Sequence, residues 1–286
     1  MTKDYIVLAR TNGTTKQGAP FANIKAANLD EIINVAVWDC GPQQEPQVGR
    51  VLAFYNLRDN AGKKSCNASD LRLYPNLPDE THPLYYLLPR PIKQAEWQQT
   101  IDSLLALCSD QQLTAIITDF ASKLYEPYSK YPAATSVHHA FPGGLLNHTH
   151  QMLNMLLGIY PTLPAKVKIE RCILAIIFHD YGKVYEYNYA GEAQEDMFLL
   201  GHIYIGAHKL HQELESRGVD KAEAKRIVHI VLAHHGKREY GSPVLPCTKE
   251  AELVNMLDDL SAKADHIEGI GNMEKSFILE TTVIKD

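Results

Sequence analysis

A histidine and an aspartate, His179-Asp180, close an apolar run that extends from Cys172 to Phe178. An imidazole and a carboxylate at the end of so apolar a segment need a partner, because a desolvated charge left unpaired is costly. Residues of the same chemistry recur on both sides: His148 upstream, then His202, His234-His235 and Asp258 downstream. These side chains are divalent-metal donors. A mixed imidazole and carboxylate set suits manganese, iron, cobalt, nickel or zinc better than magnesium alone. A lone histidine on an apolar face is usually a satisfied core residue. A series in which all but Asp258 fall at junctions between elements points instead to a metal-dependent centre.

Helices must carry these donors together. Apolar residues at helical spacing (Ile101, Leu104, Leu105; Leu113, Ile116, Ile117, Phe120) mark the first two helices after Gln94. The same spacing predicts helices over 151–159, 168–178, 206–214, 222–235 and 249–263. His148 then opens one helix, His179-Asp180 closes the next, His202 opens another, and His234-His235 closes the one after it. Gly182 and Gly236 follow the two closing pairs as expected helix stops. His150, two positions from His148, faces roughly the other side of its helix. His82, His208, His211, His229 and His266 lack this context and read as surface residues.

The first part of the chain has a different period. Short apolar segments at 5–9, 21–26, 32–38, 48–57 and 64–74 are punctuated by glycine, proline and an Asn60-Ala61-Gly62 turn. Five short strands of this kind predict a small closed all-β barrel, with an OB-fold as the leading candidate, over residues 1–76. Prolines 78, 83, 89 and 91 mark an extended linker over 77–93. An all-α bundle is expected over 94–286, so the fold class is multidomain, barrel followed by bundle.

The net charge of −6 argues against a generally basic nucleic-acid coat, although bound metals supply local positive charge where phosphates would meet the site. No apolar stretch is long enough to span a bilayer, and the start of the chain lacks the apolar core of a signal peptide. The five cysteines are scattered and odd in number, which favours reduced thiols over a disulfide framework and makes the cytoplasm the expected compartment.

His179-Asp180 with Gly182-Lys183 just beyond resembles the HD-domain metal-dependent phosphohydrolase superfamily. The likeness extends to His138-His139-Ala140-Phe141-Pro142-Gly143-Gly144-Leu145-Leu146-Asn147-His148-Thr149, to Gly201-His202, to His234-His235-Gly236-Lys237 and to Met256-Leu257-Asp258-Asp259-Leu260-Ser261-Ala262-Lys263. Together with the barrel segment, the pattern is similar to YhaM-type 3′→5′ exoribonucleases. That resemblance implies one metal held by His148, His179, Asp180 and Asp258, and a second held by His202, His234, His235 and a bridging Asp180. It implies hydrolysis of phosphodiesters in single-stranded RNA, with DNA also open, to nucleoside 5′-monophosphates. Two divalent metals per chain (Mn, Fe, Co or Ni, with Zn an option) would acidify water for the attack. Asp180 and Lys183 are then the catalytic residues, Lys183 neutralising a phosphoryl oxygen. Asp259 points about 100° away from Asp258 on its helix and is not expected to be a ligand.

Substrate contacts are expected from His138 and His139, and from Gly143 and Gly144, where a chain without side chains lets a phosphate approach; a plain turn is the other reading of the two glycines. Lys237 is a further phosphate candidate. On the barrel, the basic and aromatic candidates are Lys25, Trp38, Arg50, Tyr55 and Arg58, with Phe21, Phe54, Lys63, Lys64 and Arg72 behind them. Against this stand two other functions: an HD phosphodiesterase of small nucleotides or cyclic dinucleotides, and a non-catalytic nucleic-acid-binding protein. No GYP tripeptide follows the pattern, and the ligand set is complete, which disfavours both. A membrane partner is not expected, and self-association stays open.

Overall fold

The computed structural model describes residues 3–284 apart from 42–43, 45, 76–77, 79–80, 135–138, 164–166, 189–192, 270–272 and 277–278. The expectation for His138 therefore lies outside the described residues.

Strands β1 (Asp4–Thr14), β2 (Pro20–Ala27) and β3 (Ile32–Trp38) form an antiparallel meander. Alternation sets the faces: Ala22, Ile24 and Ala26 of β2 and Ile33, Val35 and Val37 of β3 point inward and are buried. Of the two expected strands that follow, the first breaks off after β4 (Val51–Phe54), with β5 (Arg58–Asn60) beyond its expected end, and the second breaks into β6 (Lys63–Asn67) and β7 (Leu71–Leu73). Asp70 fixes both breaks. Its carboxylate accepts from the Asn67 and Asn56 sides, and its carbonyl accepts from Tyr55 N at 3.0 Å. Ala61 and Gly62, both at positive φ (53° and 83°), make the tight turn between β5 and β6.

β6 runs parallel to β3, and β4 pairs with both β1 and β7, so the sheet order is β5-β6-β3-β2-β1-β4-β7. Its two ends, β5 and β7, are halves of the one kinked hairpin that also supplies β4 and β6. The seven-stranded sheet thereby curls round its core of Val7, Ile24, Val35, Leu52 and Cys66 into an OB-like half-barrel. The buried Arg10 guanidinium of β1 donates to the carbonyls of Gly41, Gln44 and Pro46.

The linker is not simply extended. Pro83 opens a 3₁₀ turn, Pro83–Leu87, capped by His82 Nδ1, which accepts from Leu84 N. Leu84 and Leu88 then pack with Ile6 and Val51 of the barrel and Phe141 of the helical part. The linker is thus a packed joint between the two parts.

The helices are α1 (Gln94–Leu105), α2 (Gln111–Tyr128), α3 (Gly144–Ile159), α4 (Ile169–Phe178), α5 (Lys183–Glu186), α6 (Glu195–Leu199), α7 (His202–Ser216), α8 (Lys221–Ala233) and α9 (Lys249–Gly269). α4 is the axis of the bundle. Cys172 to Phe178 are all completely buried, which explains an apolar run with no polar face: α2, α3, α7, α8 and α9 surround it. A short hairpin, β8 (Glu274–Ser276) with β9 (Thr281–Val283), adds strands to a part expected to be all-helical. His266 on α9 holds it through Ser276 Oγ.

Three histidines expected on the surface are half-buried and bonded: His82 and His266 as above, and His229, whose Nε2 accepts from Cys247 N. His150 turns to Thr100 and Asn154, away from His148's partners. Among the described residues no helix is long and apolar enough to cross a membrane.

Candidate metal centre

The C-terminus of α4 delivers His179 and Asp180 into the middle of the bundle. α3 brings His148 from one side and α9 brings Asp258. The ligand atoms of His148, His179 and Asp258 lie within 4.8 Å of one another. His202 at the start of α7 and His234-His235 at the end of α8 form a second group of the same tightness. Asp180 lies between the groups. Its Oδ2 is 3.3 Å from His179 Nε2 and 3.8 Å from His148 Nε2, while its Oδ1 is 3.7 Å from His202 Nε2 and 4.0 Å from His234 Nε2.

Each of the five histidines is held by its other nitrogen. Nδ1 of His179, His234 and His235 lies 2.6–2.7 Å from the carbonyls of Ile176, Val231 and Tyr240. A carbonyl can only accept, so each of these Nδ1 atoms carries the proton. His202 Nδ1 faces both Glu186 oxygens at 3.2 Å. His148 Nδ1 lies 2.8 Å from Ser261 Oγ, whose own proton goes to Gln151 Oε1. With Nδ1 of each ring engaged in this way, Nε2 is the nitrogen turned toward the centre, the arrangement by which proteins orient metal-binding imidazoles.

Those lone pairs need a cation. Nε2 of His148 and His179 face each other at 3.1 Å. Among the described residues, Asp180 Oδ1, His202 Nε2 and His234 Nε2 are buried and have no hydrogen-bond partner. An orphaned buried polar atom costs on the order of 1–3 kcal/mol, and three converging on one point would not be tolerated without a ligand. The donor set fits divalent metal ions.

Electrostatics keep the donors ready. Burial pushes the Asp180 carboxyl up, but the Lys183 ammonium at 2.7 Å and the His179 ring hold it well below the usual carboxylate range. Asp258 is likewise lowered against its own burial by His148 and His179. Burial and neighbouring imidazoles lower His234 and His235, keeping them neutral. Burial lowers His179 too, yet the carboxylates of Asp180 and Asp258 leave it raised overall. A proton therefore competes for that position.

Glycines make the closeness possible. Gly182 has φ −62°, so it is not the left-handed helix stop expected from the sequence; instead a Cβ there would overlap the Cα and carbonyl of His202. Gly236 does end α8 at positive φ (73°) and rests against Asn255, which donates to the His234 carbonyl. Gly143 and Gly144 give room to the protein's own chain: a Cβ at Gly143 would meet Pro91 and the Ser129 carbonyl, and one at Gly144 the His139 carbonyl. His139, in the left-handed region at φ 46°, is 5 % exposed against the His148 ring, and its N–H donates to Asp265.

An open cavity of about 340 Å³ leads to the centre, lined among others by Asp180, Lys183, His235, Lys237, Tyr240 and Asp258. Lys237, expected as a phosphate contact, is one of the residues that line this cavity. On the barrel, the cross-strand pairs Phe21–Trp38, Asn23–Ala36 and Lys25–Asn34 share the outward face of β2 and β3. The Phe21 and Trp38 ring centroids are 5.2 Å apart, and a groove of about 430 Å³ on the same sheet is lined by Arg10, Lys25, Lys63 and Lys64, the last paired with Asp59 at 2.7 Å. The other barrel candidates lie off that groove. Arg50 donates to the Pro75 carbonyl, Arg58 to Asn67, and Tyr55 is exposed at the β4–β5 bend. Phe54 is buried in the core.

Sequence reasoning did not find Glu186, Ser261 or Asn255. Each is a polar residue that orients a donor, and a buried polar residue on an otherwise apolar helix face was the available signal for Ser261 only.

Residues 145–263 match the HD domain family, and that span contains every donor just described. The segment is similar to HD domains over that span, and the likeness together with these donors implies dependence on divalent metal. Over nine-tenths of its length the chain is also similar to curated relatives named 3′-5′ exoribonuclease YhaM. It is 29% identical to that of Geobacillus sp. (strain WCH70) over 273 residues, covering 92% of this chain and 82% of the relative. It is 29% identical over 283 residues to that of Bacillus subtilis (strain 168), covering 90% and 83%. For Halalkalibacterium halodurans the identity is 27%, covering 91% and 82%. No solved structure matches the chain significantly.

Proposed function

We propose that this chain is a metal-dependent 3′→5′ exoribonuclease that releases nucleoside 5′-monophosphates from single-stranded RNA. The observation that carries the reading is Asp180, whose two oxygens face two separate groups of inward-pointing donors. One divalent metal is assigned to His148, His179, Asp180 and Asp258, and a second to Asp180, His202, His234 and His235, with manganese, iron, cobalt or nickel the best match to N/O ligands. Metals bound there acidify a water and neutralise phosphate oxygens.

The chain's own residues supply the rest. Lys183, 8 % exposed, is kept charged: burial would lower its pKa, but Asp180 raises it. Its ammonium faces the cavity, where it offsets charge developing on a phosphoryl oxygen. Lys237 at the mouth attracts the next phosphate. Glu186, Ser261 and the three carbonyl acceptors hold the imidazoles in place, so no reorganisation is needed during turnover. On the barrel, the Phe21–Trp38 pair offers a stacking surface for bases and the lysine-lined groove tracks the backbone, which favours a polymer over a small nucleotide. Free thiols at all five cysteines suit action in the cytoplasm.

The test is direct. Oligoribonucleotides labelled at the 5′ or 3′ end are incubated with the Mn²⁺-loaded protein. A 5′ label should persist on a shortening ladder while a 3′ label is released at once as mononucleotide. Shortening from the 5′ end, or no polymer turnover, would reject the proposal.

A further inference from the structure

The cavity in front of Asp180 has features that metal binding and phosphate neutralisation leave unexplained. Tyr240 is one. Its ring is 61 % exposed, yet it stands in a 3₁₀ turn, Arg238–Tyr240, that is tied down on both sides. Gly236 and Gly241 adopt positive φ (73° and 89°), and Ser242 N donates to the Lys237 carbonyl at 3.1 Å. The Tyr240 carbonyl accepts from His235 Nδ1 at 2.7 Å. The same residue thus fixes a donor with its main chain and presents its ring to the cavity. Lys237 Nζ lies 5.1 Å from the ring centroid, holding the ring from one side by a cation–π contact.

The cavity volume, about 340 Å³, is at the small end of ligand sites, enough for one nucleotide. Its lining also includes Glu252, exposed on α9. A carboxylate is a poor neighbour for a phosphate and a good acceptor for sugar hydroxyls.

We infer that this cavity is the subsite of the 3′-terminal nucleoside: Tyr240 stacks on the last base and Glu252 accepts from the hydroxyls of its ribose. The inference rests on the exoribonuclease reading, and it assigns a positioning role to two residues that hold no metal. An aromatic ring is indifferent to which base it meets, so the subsite accepts any terminal base while rejecting an end that lacks one. The rigid link from ring to His235 sets the depth of the terminal nucleotide relative to the donors, so that one nucleotide is cut at a time.

The experiment compares two RNA ends, one with a normal 3′-terminal nucleotide and one with an abasic 3′-terminal residue, on the metal-loaded protein and on Tyr240→Ala and Tyr240→Phe. The unmodified protein should prefer the normal end about tenfold in kcat/KM. Tyr240→Ala should lose that preference by slowing only the normal end, and Tyr240→Phe should retain it. Equal loss on both ends would show that the ring merely supports the loop, and unchanged rates on both would show that it touches nothing; either result overturns the inference. If the unmodified protein does not shorten RNA at all, the exoribonuclease reading fails separately. Calorimetric binding of adenosine 5′-monophosphate still reads the subsite in that case. Tyr240→Ala should weaken it about tenfold, and equal affinity would refute the assignment.

Discussion

Replacing Glu186 by glutamine tests how the second group of donors is held. Glu186 is 4 % exposed, and its carboxylate accepts from His202 N at 2.5 Å and faces His202 Nδ1 at 3.2 Å with both oxygens. Glutamine is nearly isosteric, and its one remaining oxygen can keep the main-chain bond at the start of α7. Its amide NH₂ then faces Nδ1, which must accept instead of donate. That shift puts the ring proton on Nε2, the atom needed for the metal. Loss of such an orienting partner typically weakens metal binding 10- to 100-fold, or about 1.4–2.7 kcal/mol. The assay is a Mn²⁺ titration by calorimetry on the unmodified protein and Glu186→Gln. Two binding steps are expected, with only that of the His202 group shifted, and thermal unfolding nearly unchanged. Two unshifted steps would refute the orienting role, and loss of both steps in a folded protein would refute the division into two groups.

Gly182→Ala should push α5 and the start of α7 apart, because its Cβ overlaps the His202 main chain; a cost of about 1–3 kcal/mol and selective loss of one metal per chain are expected by thermal melts and metal analysis. Stability should fall in acid through Glu170. Burial raises its pKa, but the N–H groups of Asp110 and Ser109 donate to it and leave it lowered overall. A lowered carboxyl contributes stability above its unfolded value near 4.5, and loses it as pH falls through the folded value below that. Urea melts across that window should show the loss, and Glu170→Gln should flatten this part of the profile. Lys25→Glu with Lys63→Glu should raise KM for long oligoribonucleotides several-fold and reduce the salt dependence of binding, with dinucleotide cleavage unchanged. Equal effects on long and short substrates would show that the groove does not carry the chain.

The donors were legible because metal ligation demands residue types that an apolar helix end rarely carries, and because α4 is apolar on every side. Helix ends near His179, His202 and His235 followed from that. The barrel was legible as alternation and turn chemistry, but not the breaks at Tyr55–Leu57 and Ala68–Asp70, which depend on side-chain bonds from Asp70 across the hairpin. Gly143, Gly144 and Gly182 mark where sequence logic stops. A glycine signals that something comes close, and only the fold tells that it is the protein's own chain. The same applies to Glu186, Ser261 and Tyr240. Their importance lies in which imidazole nitrogen each one meets, and a single sequence does not reveal that pairing.

The central claim is that Asp180 joins two metal ions, and anomalous scattering from crystals of the Mn²⁺-loaded protein tests it most directly. Two peaks should be found, one beside His148, His179 and Asp258 and one beside His202, His234 and His235, each within bonding distance of an Asp180 oxygen. A single peak, or two peaks of which only one touches Asp180, would contradict the account.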